Sequence, residues 1–307
     1  MLGGGSDYQV ACRIVRRLGG RPHRAEPLAG GVNTVLRVVG TGIDLVVRFP
    51  NDPLRENEFP IEQWAAQAAE RAGIPSPDVV ATGEIDGLPY MVVRYVEPAP
   101  DGPDRPWRWL GHYAGTISQI PLHGAPERLF SRFGPGLAKA WSAHLAYNLT
   151  ALDPDDPLLY DGAYRREEQP LLRALISQLS TAHFDFGLAH GDLAPRNLIS
   201  RGRGSPPVLI DWGTATTGPA PWTDLQRVYQ WAVHDESISH EALTDFAIAA
   251  GTPLDSITLR RLAQLTVLRF LDLARWARDR RPDLYDDYRH ACRVGTRAIL
   301  ETTPQLR

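Results

Sequence analysis

The stretch His190-Gly191-Asp192-Leu193-Ala194-Pro195-Arg196-Asn197 decides the fold when it is taken together with Ile210-Asp211-Trp212. Residues 198–211 contain two short apolar runs on either side of a turn dense in glycine and proline. Three residues leading out and three leading back predict a β-hairpin. That hairpin returns Asp211 to the same end as Asn197.

The oxygen-bearing side chains of this region suit metal-assisted phosphoryl transfer. Asn197 and Asp211 offer an amide and a carboxylate oxygen, hard ligands that can share one Mg²⁺ ion. Asp192 precedes Asn197 by five residues and could accept the proton of an incoming hydroxyl. Phosphoryl transfer needs a base that orients the nucleophile and metal-held oxygens that neutralise the triphosphate. The spacing therefore predicts transfer of a γ-phosphoryl group from a nucleoside triphosphate.

These two segments resemble the catalytic and metal-binding loops of the aminoglycoside phosphotransferase family, relatives of the protein kinases, and the similarity extends over about residues 25 to 250. The resemblance implies an α+β, two-lobed protein-kinase-like fold. Residues 1–97 would form a small antiparallel β-sheet lobe with one helix, and residues 98–307 a larger, mainly helical lobe with the catalytic loop and acceptor site. ATP (with GTP as the alternative) and Mg²⁺ would bind in the cleft.

Carried over residue by residue, the resemblance makes Asp192 the catalytic base and Asn197 and Asp211 the Mg²⁺ ligands. Arg196 is a second candidate catalytic residue: it could reach the γ-phosphate or pair with a carboxylate, and both interpretations stay open. His190 is expected to brace the loop rather than react.

Asp224 is similar to the family's aspartate at the start of a helix. We expect it to bond the catalytic-loop backbone rather than take part in the chemistry. Thr223 and Gln226 predict a capping box at the same helix start.

The segment Leu28-Ala29-Gly30-Gly31-Val32-Asn33-Thr34 resembles the family's nucleotide-binding loop. Gly30, Gly31 and Asn33 are its candidate nucleotide-binding residues. Backbone N–H groups on a glycine turn can approach phosphate oxygens closely, because no Cβ stands in the way. A plain hairpin turn would have the same sequence, so this interpretation depends on the position of the segment.

Arg48 occupies the place where protein kinases have a lysine on the third strand. The resemblance implies that it contacts the α- and β-phosphates and is held by a glutamate on the following helix. Glu62 is the preferred partner, because it lies 11 residues before Gly73, as in the family pattern. Glu58 is the competitor, although Pro60 places it before the helix. An always-charged guanidinium suits phosphate, and a surface ion pair is the alternative.

The hinge is expected at residues 93–97, where the backbone of Tyr95 and Val96 would bind the adenine. Apolar spacing also predicts the elements around the site. Strands are expected at 23–28, 33–39, 44–49, 78–85 and 88–96. Helices are expected at 61–72, 108–120, 136–150, 166–181, 223–234, 240–251, 257–278 and 284–301.

The composition restricts the class of protein. The chain has 43% hydrophobic and 22% charged residues, the ordinary values of a globular protein. Its net charge of −3 argues against nucleic-acid and membrane partners. Cys12 and Cys292 are too few for a disulfide framework. No apolar run is long enough to span a membrane and no leader pattern is present, so we expect a cytoplasmic protein. Lys139 is the only lysine among 33 basic residues.

The expected partner is a small-molecule hydroxyl acceptor. An aminoglycoside-type antibiotic, and hence antibiotic resistance, is favoured because residues 151–186 hold seven carboxylates against three arginines. Such a lining suits a polycation, although charges at this density are also typical of a solvated face. The alternatives are a metabolite kinase for an amino alcohol, sugar or hydroxy amino acid, another antibiotic class, and a catalytically silent nucleotide-binding module. A monomer and a dimer both remain open.

Overall fold

The structure is a computed structural model that describes residues 4–52 and 56–302. The predicted small lobe, 1–97, therefore includes residues 1–3 and 53–55, which lie outside the described residues. The helices are α1 Gly4–Arg17, α2 Phe59–Arg71, α3 Pro106–Ile117, α4 Leu137–Ala151, α5 Pro157–Tyr160, α6 Gln169–Leu179, α7 Trp222–Val233, α8 His240–Ala249, α9 Ser256–Arg280 and α10 Tyr285–Thr302. The strands are β1 Pro22–Pro27, β2 Asn33–Gly40, β3 Ile43–Pro50, β4 Val79–Ile85, β5 Leu88–Arg94, β6 Phe186–Ala189, β7 Leu198–Ile199, β8 Val208–Leu209 and β9 Thr216–Pro219.

The chain forms two compact units. The first comprises Met1–Pro106, His123–Pro126 and Ala194–Ala215, and the second comprises Trp107–Leu122, Glu127–Leu193 and Thr216–Arg307. The hairpin β7–β8 thus belongs to the first unit, and β6 and β9 belong to the second. The division into lobes at residue 97 stays a prediction.

The first unit is built on an antiparallel sheet with strand order β1-β2-β3-β5-β4. Alternate side chains of β2, β3 and β5 point to one face, where Val38, Val47 and Val92 are fully buried. Helix α2 lies after β3 and begins with Phe59-Pro60, and proline is well tolerated in a first helical turn. The five strands and α2 confirm the sequence prediction.

Helix α1 corrects the expectation of one helix in this part of the chain. Ala11, Ile14 and Val15 are fully buried against the sheet, at the spacing of one helix face. The sequence analysis missed the helix because Gly4 and Gly5, poor helix formers, stand where a capping signal is usually found.

The second unit is mainly helical, as predicted. Its core contains residues of α4, α6, α9 and α10, including Leu145, Leu172, Leu271 and Ile299. The strands β6 and β9, which the sequence analysis missed, pair antiparallel with Ala189 opposite Thr216. They are too short for an alternating pattern to be recognised. No helix in the described part of the chain is long and apolar enough to cross a membrane.

Candidate active site

The hairpin that was predicted to bring Asn197 and Asp211 together is present in the first unit. Leu198 pairs with Leu209, and Ile199 pairs with Val208. Beyond this ladder the Ile210 N–H donates to the Asn197 carbonyl oxygen at 3.0 Å. The two residues predicted to be metal ligands therefore lie at the same end of the hairpin.

Asp211 adopts the left-handed helical conformation, with φ 65° and ψ 55°. Such a backbone costs energy for most residues, and asparagine and aspartate are the usual exceptions to glycine. The next residue, Trp212, is fully buried, and its indole N–H donates to the Leu209 carbonyl oxygen at 3.3 Å. This anchoring turns the chain sharply while the Asp211 side chain stays 46% exposed. The carboxylate is accessible to a ligand.

Arg48 links three segments of the first unit. Its Nη1 pairs with Glu62 Oε1 of α2, and its Nη2 donates to Asp211 Oδ1 at 3.2 Å. The predicted partner, Glu62, is therefore the one found, and Glu58 lies before the first residue of α2. Burial alone would lower the pKa of Arg48, but the charges of Glu62 and Asp211 more than offset it and raise this pKa.

The side-chain oxygens at the end of the hairpin are of the kind that a magnesium ion prefers as ligands. Within residues 4–52 and 56–302 no group of three or more His, Cys, Asp or Glu side chains could hold a metal. Mg²⁺ does not need one, because it is commonly held by one or two protein oxygens together with substrate phosphates and water. An amide and a carboxylate oxygen at Asn197 and Asp211 meet that need, and their role as ligands stays a prediction.

The glycine-rich loop has a backbone that only glycine can supply at Gly30. A Cβ added there would lie 2.5 Å from the Asn33 carbonyl oxygen, whereas at Gly31 it would meet nothing within 4 Å. Asn51 ties the loop down: its Nδ2 donates to the Gly31 carbonyl oxygen at 3.3 Å, and its Oδ1 accepts from Thr34 Oγ1 at 2.6 Å. The sequence analysis missed Asn51, because an asparagine directly after a strand predicts only the end of that strand.

The predicted hinge, residues 93–97, contains backbone groups that no described residue uses, and Val96 is an example. The Tyr95 N–H donates to the Asp44 carbonyl oxygen at 3.0 Å, and the Arg37 guanidinium lies 3.6 Å from the Tyr95 ring centroid. Val96 makes no hydrogen bond to any other described residue. Its backbone can therefore bind a base, the role predicted for it.

The first part of the predicted catalytic loop, residues 190–193, belongs to the second unit and is held by a single carboxylate. Asp224 Oδ2 accepts from the His190 N–H at 3.0 Å, and Oδ1 accepts from the Gly191 N–H at 2.7 Å. His190 is fully buried, and its Nδ1 accepts from the Asp192 N–H at 3.3 Å. Gly191 has a φ of 82°, which glycine adopts without strain. The supporting roles predicted for His190 and Asp224 are confirmed.

The capping box predicted at this helix start is wrong. Helix α7 begins at Trp222, and the preceding Pro221 makes no side-chain cap. Thr223 Oγ1 instead donates to the Pro219 carbonyl oxygen at 2.7 Å, and Gln226 Nε2 donates to Thr266 Oγ1 at 3.0 Å. Contacts with β9 and α9 have taken the place of the local cap.

The remaining predicted residues are Arg196 and the carboxylates of residues 151–186. Arg196 is exposed in a short 3₁₀ turn, and its role stays a prediction. Several carboxylates expected to line the acceptor site make structural contacts: Asp156 forms a bidentate pair with Arg275, with both distances 2.8 Å. Asp161 accepts from Arg278 at 3.3 Å and from Tyr285 at 2.7 Å. The charges of Asp156 and Asp161 are therefore engaged in contacts within the protein.

Comparison with known proteins identifies the class. Residues 24–265 match the phosphotransferase enzyme family, APH, which is most of the chain. The chain belongs to this family and is a phosphotransferase acting on a hydroxyl or similar acceptor. Among curated proteins it is 35% identical over 80 residues to a probable ketoamine kinase of Staphylococcus aureus (strain NCTC 8325 / PS 47). That match spans 26% of this chain and about a quarter, 27%, of the relative.

Solved structures share the fold. The GDP and kanamycin complex of APH(2″)-IIIa has a TM-score of 0.60 at 19% identity, over 97% of this chain and 99% of that one. Spectinomycin phosphotransferase APH(9)-Ia, with ADP and spectinomycin, has a TM-score of 0.58 at 13% identity, over 95% and 97%. The aminoglycoside phosphotransferase APH(4)-Ia has 0.62 at 16% identity, over 94% and 98%. The kinase-like α+β fold predicted from the sequence is thereby confirmed.

The buried Arg48–Glu62 pair should be important for stability. Glu62→Gln removes the charge that balances Arg48 and should lower the free energy of unfolding by about 2–4 kcal/mol. Glu70→Gln, an exposed change on the same helix, should alter it by less than about 0.5 kcal/mol. Urea unfolding followed by far-UV circular dichroism measures both, and equal effects would contradict a balancing role.

Asp224 should give the stability a pH dependence. Burial raises its pKa to about 6, although the bonds from Gly191 and His190 oppose the rise. The folded state therefore holds the proton more tightly, and this stabilisation, complete below the unfolded pKa, is lost as pH rises through 6. The stability advantage of wild type over Asp224→Asn should shrink by roughly 2 kcal/mol between pH 4 and 7.

The control for this measurement is Asp255→Asn. Asp255 caps α9 through a bond from the Thr258 N–H, which lowers its pKa. Its contribution is lost only at more acidic pH, so the stability difference for this variant should stay constant between pH 4 and 7. An equally constant difference for Asp224→Asn would show that Asp224 does not titrate there.

Proposed function

We propose that the protein transfers the γ-phosphoryl group of ATP to a hydroxyl of a small molecule. The observation that supports this most is the position of the Asp211 carboxylate. It is accessible, it accepts a hydrogen bond from Arg48 of the buried Arg48–Glu62 pair, and it lies at the same end of the hairpin as Asn197. A carboxylate and an amide held in this way suit the metal-bound triphosphate of a kinase. The membership in the phosphotransferase family supports the same reaction.

In the proposed mechanism the protein positions the acceptor hydroxyl and neutralises the charge of the phosphates. It forms no covalent intermediate. Asp192 accepts the hydroxyl proton and aligns the oxygen for in-line attack, while its own N–H is held by His190. Arg48 contacts the α- and β-phosphates, and Arg196 faces the γ-phosphate. Mg²⁺, bound through Asn197 and Asp211, would supply charge neutralisation on the phosphate oxygens.

The nucleotide is proposed to bind the first unit. The Val96 backbone is available to the base, and the Gly30-Gly31 turn to the phosphates. ATP is the proposed donor, and GTP is the competitor because some solved relatives hold GDP.

Aminoglycosides are the first acceptor class to test, since kanamycin and spectinomycin accompany the nucleotide in structures of the same fold. An antibiotic-resistance role would follow from such an acceptor. A ketoamine is the second class. It is supported by the ketoamine kinase match and by the structural use of Asp156 and Asp161, which leaves fewer charges for a polycation.

The test is a coupled assay of nucleotide consumption with an acceptor panel: aminoglycosides, macrolides, amino alcohols, sugars and ketoamines. At least one acceptor should be phosphorylated, and NMR of the product would locate the phosphate. Asp192→Asn should reduce kcat by 100-fold or more, on the order of the contribution of a positioned base, with little change in ATP affinity. ATP consumption that is independent of every acceptor, or normal turnover by Asp192→Asn, would contradict the proposal.

Asp211→Asn should act on the nucleotide instead. Loss of the carboxylate charge should weaken Mg²⁺-dependent ATP binding about tenfold or more, which corresponds to roughly 1.4 kcal/mol. Calorimetric titration of ATP at several Mg²⁺ concentrations measures this effect. The matched change Asp192→Asn should leave that titration unaltered, and an unchanged Mg²⁺ dependence in Asp211→Asn would remove Asp211 from the metal site.

A further inference from the structure

The second unit contains a cavity of about 280 Å³ next to β9. Helices α4, α7 and α9 and strand β9 form its walls, and its polar lining includes Trp141, His144, Thr216, Arg269 and Asp272. Its size is at the lower end of small-molecule sites. It can hold one compact group of a ligand.

Two hydrogen-bond donors of this cavity lack acceptors. Trp141 Nε1 and Arg269 Nε are buried, and among residues 4–52 and 56–302 neither has a hydrogen-bond partner. An indole N–H and a guanidinium can only donate. Buried donors are rarely left unsatisfied in folded proteins, because each costs about 1–3 kcal/mol. The complementary ligand group is therefore an acceptor.

The cavity also contains a positive charge without an ion-pair partner. Arg269 forms no ion pair with any described residue. Asp272 is near, but its Oδ2 bonds His144 Nε2 at 2.8 Å and its Oδ1 accepts from Asn148 Nδ2 at 2.9 Å. An anion in the cavity would supply the charge that the protein does not.

The charge of Arg269 persists at neutral pH. Burial and the nearby charge of Arg227 lower its pKa to about 10, while Asp272, Tyr288 and Asp235 oppose the fall. A group with a pKa of about 10 is protonated at pH 7, so the Arg269 side chain stays cationic under ordinary conditions.

The cavity lies beside the support of the catalytic loop. Thr216, in its lining, pairs with Ala189, the residue before His190. Thr223 also lines it and precedes Asp224, which holds the His190 and Gly191 N–H groups. A ligand group in the cavity is thus fixed relative to the segment that carries Asp192.

We infer that this cavity binds a carboxylate of the phosphoryl acceptor, through the Arg269 guanidinium and the Trp141 indole N–H. This inference rests on the proposed function and narrows it to acceptors that carry both a hydroxyl and a carboxylate, which favours ketoamines of amino acids over aminoglycosides. Arg269 is then a specificity-determining residue, and Asp192 acts on the hydroxyl at the other end of the acceptor.

Two acceptor pairs that differ only in the carboxylate test the inference. These are homoserine against 3-amino-1-propanol, and N-fructosylglycine against N-fructosylmethylamine. The wild-type protein should have a kcat/KM at least tenfold higher for the acid of a pair it phosphorylates. Arg269→Gln should reduce that ratio to about one. Arg280→Gln, an exposed change at the end of the same helix, should leave it unchanged. A wild-type ratio near one, or a ratio unaffected by Arg269→Gln, would overturn the inference.

A second measurement does not depend on turnover. The indole ¹H–¹⁵N signal of Trp141, assigned among the eight tryptophans by Trp141→Phe, should shift on titration with the acids and not with their decarboxylated partners. The shift should vanish in Arg269→Gln, with circular dichroism checking that the variant is folded. Should it not fold, Trp141→Phe takes its place in the kinetic comparison, where the ratio should also fall.

The outcomes separate this inference from the proposed function. A carboxylate-dependent shift without phosphorylation of any acceptor would support the cavity and contradict the proposed function. Phosphorylation of acceptors with no carboxylate-dependent shift would support the function and overturn the inference. A shift caused by inorganic phosphate alone would also overturn it.

Discussion

The charge of Arg48 is the constraint on which the first unit depends. The guanidinium leaves β3 beside a hydrophobic core, where Glu62 and Asp211 balance its positive charge. A buried charge without a partner costs far more than one surface ion pair contributes. Its neutralisation therefore requires that strand, helix and hairpin end are all in place. The same requirement orients the Asp211 carboxylate, so folding also positions the proposed metal ligand.

In the second unit a buried carboxylate, Asp224, likewise holds several segments together. Asp224 accepts two backbone N–H groups of the catalytic loop, and β6 and β9 bring the loop into its reach. One buried carboxylate thus determines the backbone around Asp192, whose own N–H is held by His190. Neither supporting residue needs to touch a substrate. Their contribution is rigidity, which keeps the proposed base, Asp192, within the narrow geometric limits of proton transfer.

The parts predicted from sequence are those fixed by short-range spacing. Asn197 and Asp211 are joined by a short hairpin, and Glu62 was predicted from its spacing of 11 residues to Gly73, as in the family pattern. What escaped prediction depends on distant partners. Thr223 donates to a strand carbonyl instead of capping its helix, and Asp156 pairs with Arg275 across 119 residues. Helix α1 packs on the sheet, and no pattern in its own sequence predicts that contact. Local patterns carry no information about such contacts.

The arginine at position 48 has a practical consequence for chemical labelling. Reagents that acylate or sulfonylate a catalytic amine find their target in kinases because the third strand offers a lysine, but a guanidinium is too weak a nucleophile at neutral pH. Here the chain's one lysine is Lys139, exposed on α4. Amine-directed nucleotide probes would therefore not label the proposed nucleotide site. Any label at Lys139 would report on the surface of α4 instead.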